Sequence, residues 1–518
     1  MKKFIYLFTM LFCLGALSCT RDFGDINRDP YGVTPEEMSR LPQGGTQLIA
    51  LQKLVIPEQE NSYQMCFDLG ITGYAGYATQ IPNFRNDYPV YSPRTDWVNY
   101  IYNDTYPKIY AAYFELNRLA KGDYNQLYFA WGSLLRASIT SWFTDIFGPM
   151  PYTKMAEAQL SVEYDSQEVL YKAMCEDIKK AITTLSKVDP SNRQYAAFDL
   201  VYGGDMSKWT RYGSSLLLRL AIRMAKKMPN EAKEYAEFAI QQGVIDSKAN
   251  NAQMESVDNP VFKVSTTWQN SGVNAEITEY MNAFSDPRRD VYFTPVTSRT
   301  AGRQFFGIRN GTTTVNYVMS DYSLPKVQQN SPIVWMSAAE VAFLKAEGAL
   351  NGWNVGGTAE ELYRKGVELS FDQWGASLGN YLSNSFQRGA LVDEKATGFN
   401  VAFNSPVTVN WNDAGGDKEK QLARIITQKW IAMFPYGSQE AWAEWRRTGY
   451  PNMMPAAVNN SGGAVASITR AASGRDLGGM QRLPYSTTEV NNNVNNIRQA
   501  ISFLGGADNG GTQLWWAK

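Results

Sequence analysis

The sequence of 518 residues contains no histidine. This absence excludes Ser-His-Asp and Cys-His catalytic sites, His-ligated zinc and HExxH metalloproteases. Two kinds of carboxylate chemistry remain open, namely glycoside hydrolysis by paired Asp or Glu and calcium binding by oxygen ligands. Neither has a local motif, because the acidic residues are scattered and there is no EF-hand loop. We therefore expect no catalytic residue, no metal site and no cofactor, and no ligand spacing supports calcium.

The sequence also contains only four cysteines, and its formal net charge is close to zero, at −1. There is no basic block, so nucleic acid is not an expected partner. Cys13 and Cys19 lie at the N-terminus, and Cys66 and Cys175 are too few for a disulfide framework. We predict that the latter two are buried thiols.

The N-terminus has the pattern of a secretory signal. Two lysines precede an apolar run from Phe4 to Gly15, which is too short to cross a bilayer as a helix. Small residues then lead to Cys19, which predicts a lipoprotein signal over residues 1–18, lipidation of Cys19 and a polar tether over 19–35. The alternative is ordinary signal cleavage that leaves a soluble periplasmic protein.

The most regular pattern is a predicted helical hairpin from Leu422 to Pro451. Apolar residues including Trp430 recur every three or four positions, Pro435 and Gly437 break the helix, and Ser438 is a predicted N-cap of the second helix. Trp442 and Trp445 then share one face of that helix. We interpret the tryptophans as core residues and not as part of a binding site for a sugar or a carboxylate. Arg446 and Arg447 then need carboxylate partners, for which Glu340 and Glu347 are the candidates.

Helical periodicity also extends through most of the chain outside this hairpin. The predicted helices include Asp96–Ala120, Asn125–Phe147, Gln167–Ser186, Glu231–Gln242 and one that begins at Trp335. Residues 250–332 are instead rich in Thr, Asn, Gly and turn signals, which predicts an irregular insertion with short strands. The stretch from Asp68 to Tyr110 is crowded with aromatic residues and helix breakers, so it is a candidate ligand platform on loops.

Several motifs together resemble the SusD/RagB family of nutrient-capturing surface lipoproteins. The residues that carry the resemblance are QKW with QEAWAEWRRTGYP, GGDMSKW, SDPRR, WMSAAEVAFLKAEG and RLPYSTTEVNNN. The resemblance implies a mainly α fold, in which a tetratricopeptide-like scaffold of helical hairpins packs against an irregular, loop-rich ligand-binding region. The predicted domain spans 36–518, with scaffold at about 36–245 and 335–450, the insertion at about 246–334 and a C-terminal tail at 451–518.

The resemblance also implies a function. Such proteins are lipid-anchored in the outer membrane, face the exterior, bind glycans without cleaving them and pass them to a TonB-dependent, SusC-like transporter. Two alternatives stay open: the same scaffold binding peptides or proteins, and a carboxylate-based glycoside hydrolase. Sugars stack on aromatic rings and bond to polar side chains. The predicted ligand-binding residues are therefore Tyr77, Phe84, Arg85, Trp97, Asn99, Trp268 and Tyr317.

Overall fold

A computed structural model describes residues 42–82, 84, 87–155, 161–299, 302–313, 317–469 and 478–518. The predicted signal over 1–18, Cys19 and the tether over 19–35 lie outside these residues. Residues 44–518 form one unit. Within the described residues, no helix is both long and apolar enough to cross a membrane.

Helices dominate the chain, so the predicted mainly α fold is confirmed. They are α1 Gly45–Val55, α2 Glu60–Tyr63, α3 Ile71–Tyr74, α4 Thr95–Ala120, α5 Leu127–Phe147, α6 Gln167–Leu185, α7 Met206–Met224, α8 Pro229–Gln242, α9 Pro260–Phe262, α10 Ala275–Ala283, α11 Arg289–Tyr292, α12 Ala338–Leu350, α13 Ala359–Trp374, α14 Lys418–Ala432, α15 Ser438–Thr448, α16 Thr487–Asn492 and α17 Val494–Leu504. Consecutive helices pack on one another through α5, α6, α7 and α8, and again through α12 and α13.

Short turns of helix join these elements. Two are π-helical, Gln64–Asp68 and Lys263–Thr267, and the 3₁₀ turns are Tyr88–Val90, Ala196–Phe198, Lys248–Asn250, Met319–Asp321, Tyr381–Ser383, Thr397–Phe399, Trp411–Ala414 and Trp515–Ala517. The strands are β1 Ala78–Gln80, β2 Ala252–Met254, β3 Ser271–Val273 and β4 Ile333–Met336. They form two antiparallel ribbons, β1 with β3 and β2 with β4. The predicted irregular stretch therefore does contain short strands.

Side-chain caps fix several helix starts. The Thr358 hydroxyl accepts a hydrogen bond from Glu361 N–H, and the Glu361 carboxylate accepts one from Thr358 N–H, so α13 begins with a capping box. Ser337 caps α12 in a similar way by accepting from Glu340 N–H. The prediction of a helix from Trp335 was therefore wrong at its start, because Trp335 belongs to β4 and pairs with β2.

The hairpin of α14 and α15 lies in the core, as predicted. Trp430, Trp442 and Trp445 are 1%, 0% and 2% exposed. The indole N–H of Trp430 donates to the Ala75 carbonyl at 2.6 Å, and that of Trp442 to the Met480 carbonyl at 3.0 Å. Buried aromatic rings with satisfied N–H groups are scaffold and not ligand contacts.

The predicted N-cap of α15 was wrong. The Gly437 carbonyl accepts the first hydrogen bond of α15, from Ala441 N–H at 2.9 Å, so Gly437 takes the N-cap position. Ser438 becomes the first residue of α15, and no side chain caps this helix. The αL residue Gly449, with φ of 83°, ends α15 as expected.

A buried ionic network ties the hairpin to the scaffold. Arg223 of α7 donates to Asp145 of α5 at 2.7 Å and to Glu440 of α15 at 2.6 Å. Lys429 of α14 also donates to Glu440, at 2.7 Å. Burial alone would raise the pKa of Glu440, but the cations Arg223 and Lys429 hold that pKa below its ordinary value.

The partners predicted for the paired arginines were half correct. Arg447 binds Glu347 through two hydrogen bonds of 2.6 and 2.7 Å. Glu340 instead pairs with Arg219 at 2.8 Å. Arg446 donates to the backbone carbonyls of Asp145 and Gln481, at 2.5 and 2.9 Å. Its guanidinium lies 3.7 Å from the centroid of the Trp442 ring, so carbonyls and an aromatic face take the place of a carboxylate, and Nη2 has no hydrogen-bond partner among the described residues.

We predict that Arg223→Ala strongly destabilises the protein. Removing one partner of a buried ion pair leaves uncompensated charge, which costs about 3–5 kcal/mol. The measurement is a denaturant-unfolding midpoint, with Arg118→Ala as control because Arg118 forms an exposed pair with Glu115. Equal midpoints for the two variants would contradict the role given to the network.

Candidate ligand-binding surface

The ribbon of β1 and β3 brings two aromatic loops to one end. Ala78 pairs with Val273 and Gln80 with Ser271. Beyond this pair, Ile81 N–H donates to the Asn270 carbonyl at 3.1 Å. Because the strands are antiparallel, the chain that leaves β1 and the chain that enters β3 meet at this end.

Phe84 and Trp268 stand at this end of the ribbon. Phe84 N–H donates to the Ile81 carbonyl at 2.9 Å, which closes a turn directly after β1. Trp268 N–H donates to the Lys263 carbonyl at 2.8 Å and ends the π-helical turn that leads into β3. Both rings are partly exposed and pack against the main core.

Trp97 is connected to the same ribbon through Tyr88. The Trp97 and Tyr88 rings stack with centroids 6.0 Å apart and planes 12° apart, and the turn Tyr88–Val90 packs against β1. The guanidinium of Arg94 lies 5.2 Å from the Trp97 centroid. Trp97 itself is partly exposed in the first turn of α4.

Tyr317 lies beside β3. Its ring stacks on Tyr322 with centroids 5.3 Å apart and planes 7° apart. A Cβ added at Gly272 would lie 3.6 Å from the Tyr317 hydroxyl and 2.9 Å from a methyl carbon of Ile308. The missing side chain at Gly272 therefore leaves room for this packing. We call Phe84, Trp97, Trp268 and Tyr317, grouped around β1 and β3, the ribbon surface.

Two predicted ligand residues, Tyr77 and Asn99, use their polar groups for contacts within the protein. Tyr77 is 1% exposed, its hydroxyl donates to the Trp430 carbonyl at 2.5 Å, and its ring stacks on Trp430. Its side chain is thus part of the core. Asn99 is partly exposed, but its amide donates to Thr487 Oγ1 at 2.7 Å and accepts from Thr487 N–H at 2.9 Å. Arg85 lies outside the described residues.

A buried polar cluster underlies the ribbon surface, and no local sequence pattern indicates it. Ser271 Oγ donates to Asp68 Oδ1 at 2.8 Å. Gln80 lies opposite Ser271 on the same face of the ribbon, and both amide atoms of Gln80 and Oδ2 of Asp68 lack partners among the described residues. Burial raises the pKa of Asp68 to about 7, against a smaller lowering by the Ser271 hydroxyl.

No candidate metal site is found in the part of the chain that the structure describes. That part holds no group of three or more His, Cys, Asp or Glu side chains able to hold a metal ion. Cys66 and Cys175 are buried free thiols, as predicted. Burial raises the pKa of Cys66 to about 12, so its thiol stays protonated at neutral pH.

Comparison with known proteins identifies the family. A family model described as SusD-like, Susd and RagB outer membrane lipoprotein, matches residues 25–517. The chain belongs to the SusD/RagB family. The resemblance seen in the sequence motifs is therefore confirmed. The search of curated proteins gave no match.

Solved SusD homologues share the fold over nearly the whole chain. A homologue from Bacteroides thetaiotaomicron is 35% identical, with 92% of this chain and 99% of that chain covered and a TM-score of 0.83. A chitin-binding SusD homologue from Flavobacterium johnsoniae is 31% identical, with coverage of 92% and 98% and a TM-score of 0.83. One from Bacteroides ovatus is 34% identical, with coverage of 92% and 99% and the same TM-score.

We predict that Asp68→Asn stabilises the protein at pH 8 more than at pH 5. The pKa of Asp68 is about 7 in the fold and about 4 in an unfolded chain. The fold favours the protonated carboxyl. Asp68 therefore costs no stability below pH 4, where it is protonated in both states, and the cost grows as the pH rises to 7. The measurement is the difference in Tm between variant and wild type at the two pH values.

The control for this prediction is Asp372→Asn, since Asp372 is an exposed carboxylate. At pH 8 it should change Tm far less than Asp68→Asn does, because the Asp372 side chain is exposed. An Asp68→Asn difference that is independent of pH would contradict the raised pKa.

Proposed function

We propose that the chain is a surface-exposed outer-membrane lipoprotein that binds oligosaccharides without cleaving them and passes them to a TonB-dependent, SusC-like transporter. The observation that carries the proposal is the grouping of partly exposed rings around one ribbon in a SusD/RagB protein. The chitin binding of the 31% identical homologue supports glycan as the ligand class.

The ribbon surface has the chemistry that sugar binding needs. Sugar rings present flat C–H faces that pack on aromatic rings, and their hydroxyls need donors and acceptors nearby. Phe84, Trp97, Trp268 and Tyr317 supply the rings. Gln269 is exposed and Asn270 partly exposed in the same loop as Trp268, and they offer amide groups beside it.

Delivery to a transporter requires that the protein be held at the membrane. The proposed attachment is a lipid on Cys19, joined to the domain by the polar segment 19–35. Such an attachment would keep the ribbon surface within reach of a partner in the same membrane at a high effective concentration. Neither catalysis nor a cofactor forms part of the proposal.

The decisive experiment is calorimetric titration of residues 20–518 with chitohexaose, maltoheptaose and xylohexaose. We predict that at least one of these glycans binds. We expect Trp97→Ala and Trp268→Ala each to weaken that binding by about tenfold, because each removes a stacking ring. Trp515→Ala is the matched control, since Trp515 is a partly exposed tryptophan that packs on Tyr171.

The same mixtures should afterwards contain intact oligosaccharide by chromatography. Shorter products would indicate a hydrolase and would contradict the proposal. Binding with equal affinity in Trp97→Ala, Trp268→Ala and wild type would remove the ribbon surface as the site. Binding of peptides with no binding of any glycan would overturn the ligand class.

We predict that Cys19→Ser abolishes membrane attachment. A serine cannot form the thioether through which a bacterial lipoprotein carries its lipid, and the apolar run before it is too short to anchor the chain by itself. The measurement is incorporation of labelled palmitate and the distribution of the protein between membrane and soluble fractions. Cys13→Ser is the matched control and should behave as wild type; loss of label in both variants, or in neither, would contradict the assignment.

A further inference from the structure

The aromatic side chain of Phe386, which is not part of the ribbon surface, projects into solvent. Phe386 is 66% exposed, compared with 41% for Phe503 on α17. It lies in the loop between the turn Tyr381–Ser383 and the turn Thr397–Phe399. Leaving an aromatic side chain in water forgoes the stabilisation that burial would give, so its exposure calls for a physical reason.

The backbone around Phe386 is fixed by hydrogen bonds. Asn384 Nδ2 donates to the Phe284 carbonyl at 2.5 Å, and Asn410 N–H donates to the Asn384 carbonyl at 2.9 Å. Asn384 Oδ1 accepts from Phe386 N–H at 2.8 Å. The ring is therefore presented from an ordered turn, which lowers the entropy cost of binding a ligand to it.

Two clefts flank this turn and meet at Ser385. One has a volume of about 470 Å³, includes Phe386 and is lined by Phe284, Ser377, Asn380, Ser383 and Asn384. The other has a volume of about 710 Å³ and is lined by Gln387, Thr408, Asp413, Lys420, Tyr450 and Asn452. Both volumes are in the range of small-molecule sites.

The polar groups in these clefts suit a ligand rich in hydroxyls. Asn380 is exposed, and its side-chain amide makes no hydrogen bond to another described residue. Asn452 Oδ1 accepts from Ser405 at 3.1 Å, and Gln387 Nε2 donates to the Pro406 carbonyl at 3.3 Å. Nδ2 of Asn452 and Oε1 of Gln387 stay available for a ligand in the part of the chain that the structure describes.

We propose that Phe386 and its two flanking clefts form a second oligosaccharide-binding site. One sugar ring of a neutral glycan stacks on Phe386, and the neighbouring sugars enter the clefts, where amide and hydroxyl groups bond to them. A protein partner fits less well, because amide and hydroxyl groups line the clefts on both sides of the Phe386 ring. The proposal takes its ligand class from the function proposed above.

This second site shares no residue with the ribbon surface. Its lining residues come from 284–287, 377–387, 406–424 and 450–452. The ribbon surface uses 84, 97, 268 and 317. Two sites on one chain would hold a long polysaccharide more tightly than either site alone.

The test is hydrogen-exchange mass spectrometry on residues 20–518 with chitohexaose, maltoheptaose and xylohexaose, in wild type and in Trp268→Ala. We expect at least one glycan to protect segments 377–390 and 404–413. That protection should persist in Trp268→Ala, so a failure of the ribbon surface is seen separately from a failure of this site.

The matched variants are Phe386→Ala and Phe503→Ala. Each truncates an exposed phenylalanine, so both should fold and melt as wild type. In the Trp268→Ala background, Phe386→Ala should weaken the remaining glycan affinity by about tenfold, and Phe503→Ala should leave it unchanged.

Two results would overturn the proposal. The first is the absence of protection in both segments with all three glycans. The second is equal glycan affinity with and without the Phe386 ring; if Phe386→Ala then lowered recovery of a membrane protein partner from cells, the exposed ring would instead belong to a protein interface.

Discussion

The buried interaction of Arg223 with Asp145 and Glu440 is the constraint on which the rest of the structure depends. It joins α7 to α5 and to α15 in the core, where an unpaired charge is not tolerated. Through α15 and α14 it also fixes Trp430, whose indole N–H bonds to Ala75 three residues before β1. The position of the ribbon is therefore tied to the helical scaffold through a short series of buried polar contacts.

The ribbon surface combines rigidity with exposure. Tyr77 is buried against Trp430, and this contact holds the start of β1 while leaving Phe84, Trp97, Trp268 and Tyr317 free to present part of their rings. Binding residues on loops of a rigid scaffold lose little entropy when a ligand arrives. Tyr77 thus serves the surface by packing and not by contact.

Sequence reasoning predicted what depends on local spacing. The helices, the hairpin core and the aromatic loops all follow from periodicity and breakers within a few turns. The predictions failed where the partner is far away in sequence. Residues 333–336 form β4 because they pair with β2. Tyr77 is buried because it packs against Trp430, which lies 353 residues later. The same holds for Arg223, whose partner Glu440 is 217 residues away. Asp68, a single acidic residue among aromatics, carried no local signal at all.

The proposed function requires that a glycan bind at the ribbon surface and stay intact. A crystal structure of residues 20–518 grown with the best-bound oligosaccharide tests it most directly. We expect an uncleaved chain of sugars with at least one sugar ring stacked on Trp97, Trp268 or Tyr317. An oligosaccharide bound elsewhere with all three rings uncovered, or one cleaved between two carboxylates, would contradict it.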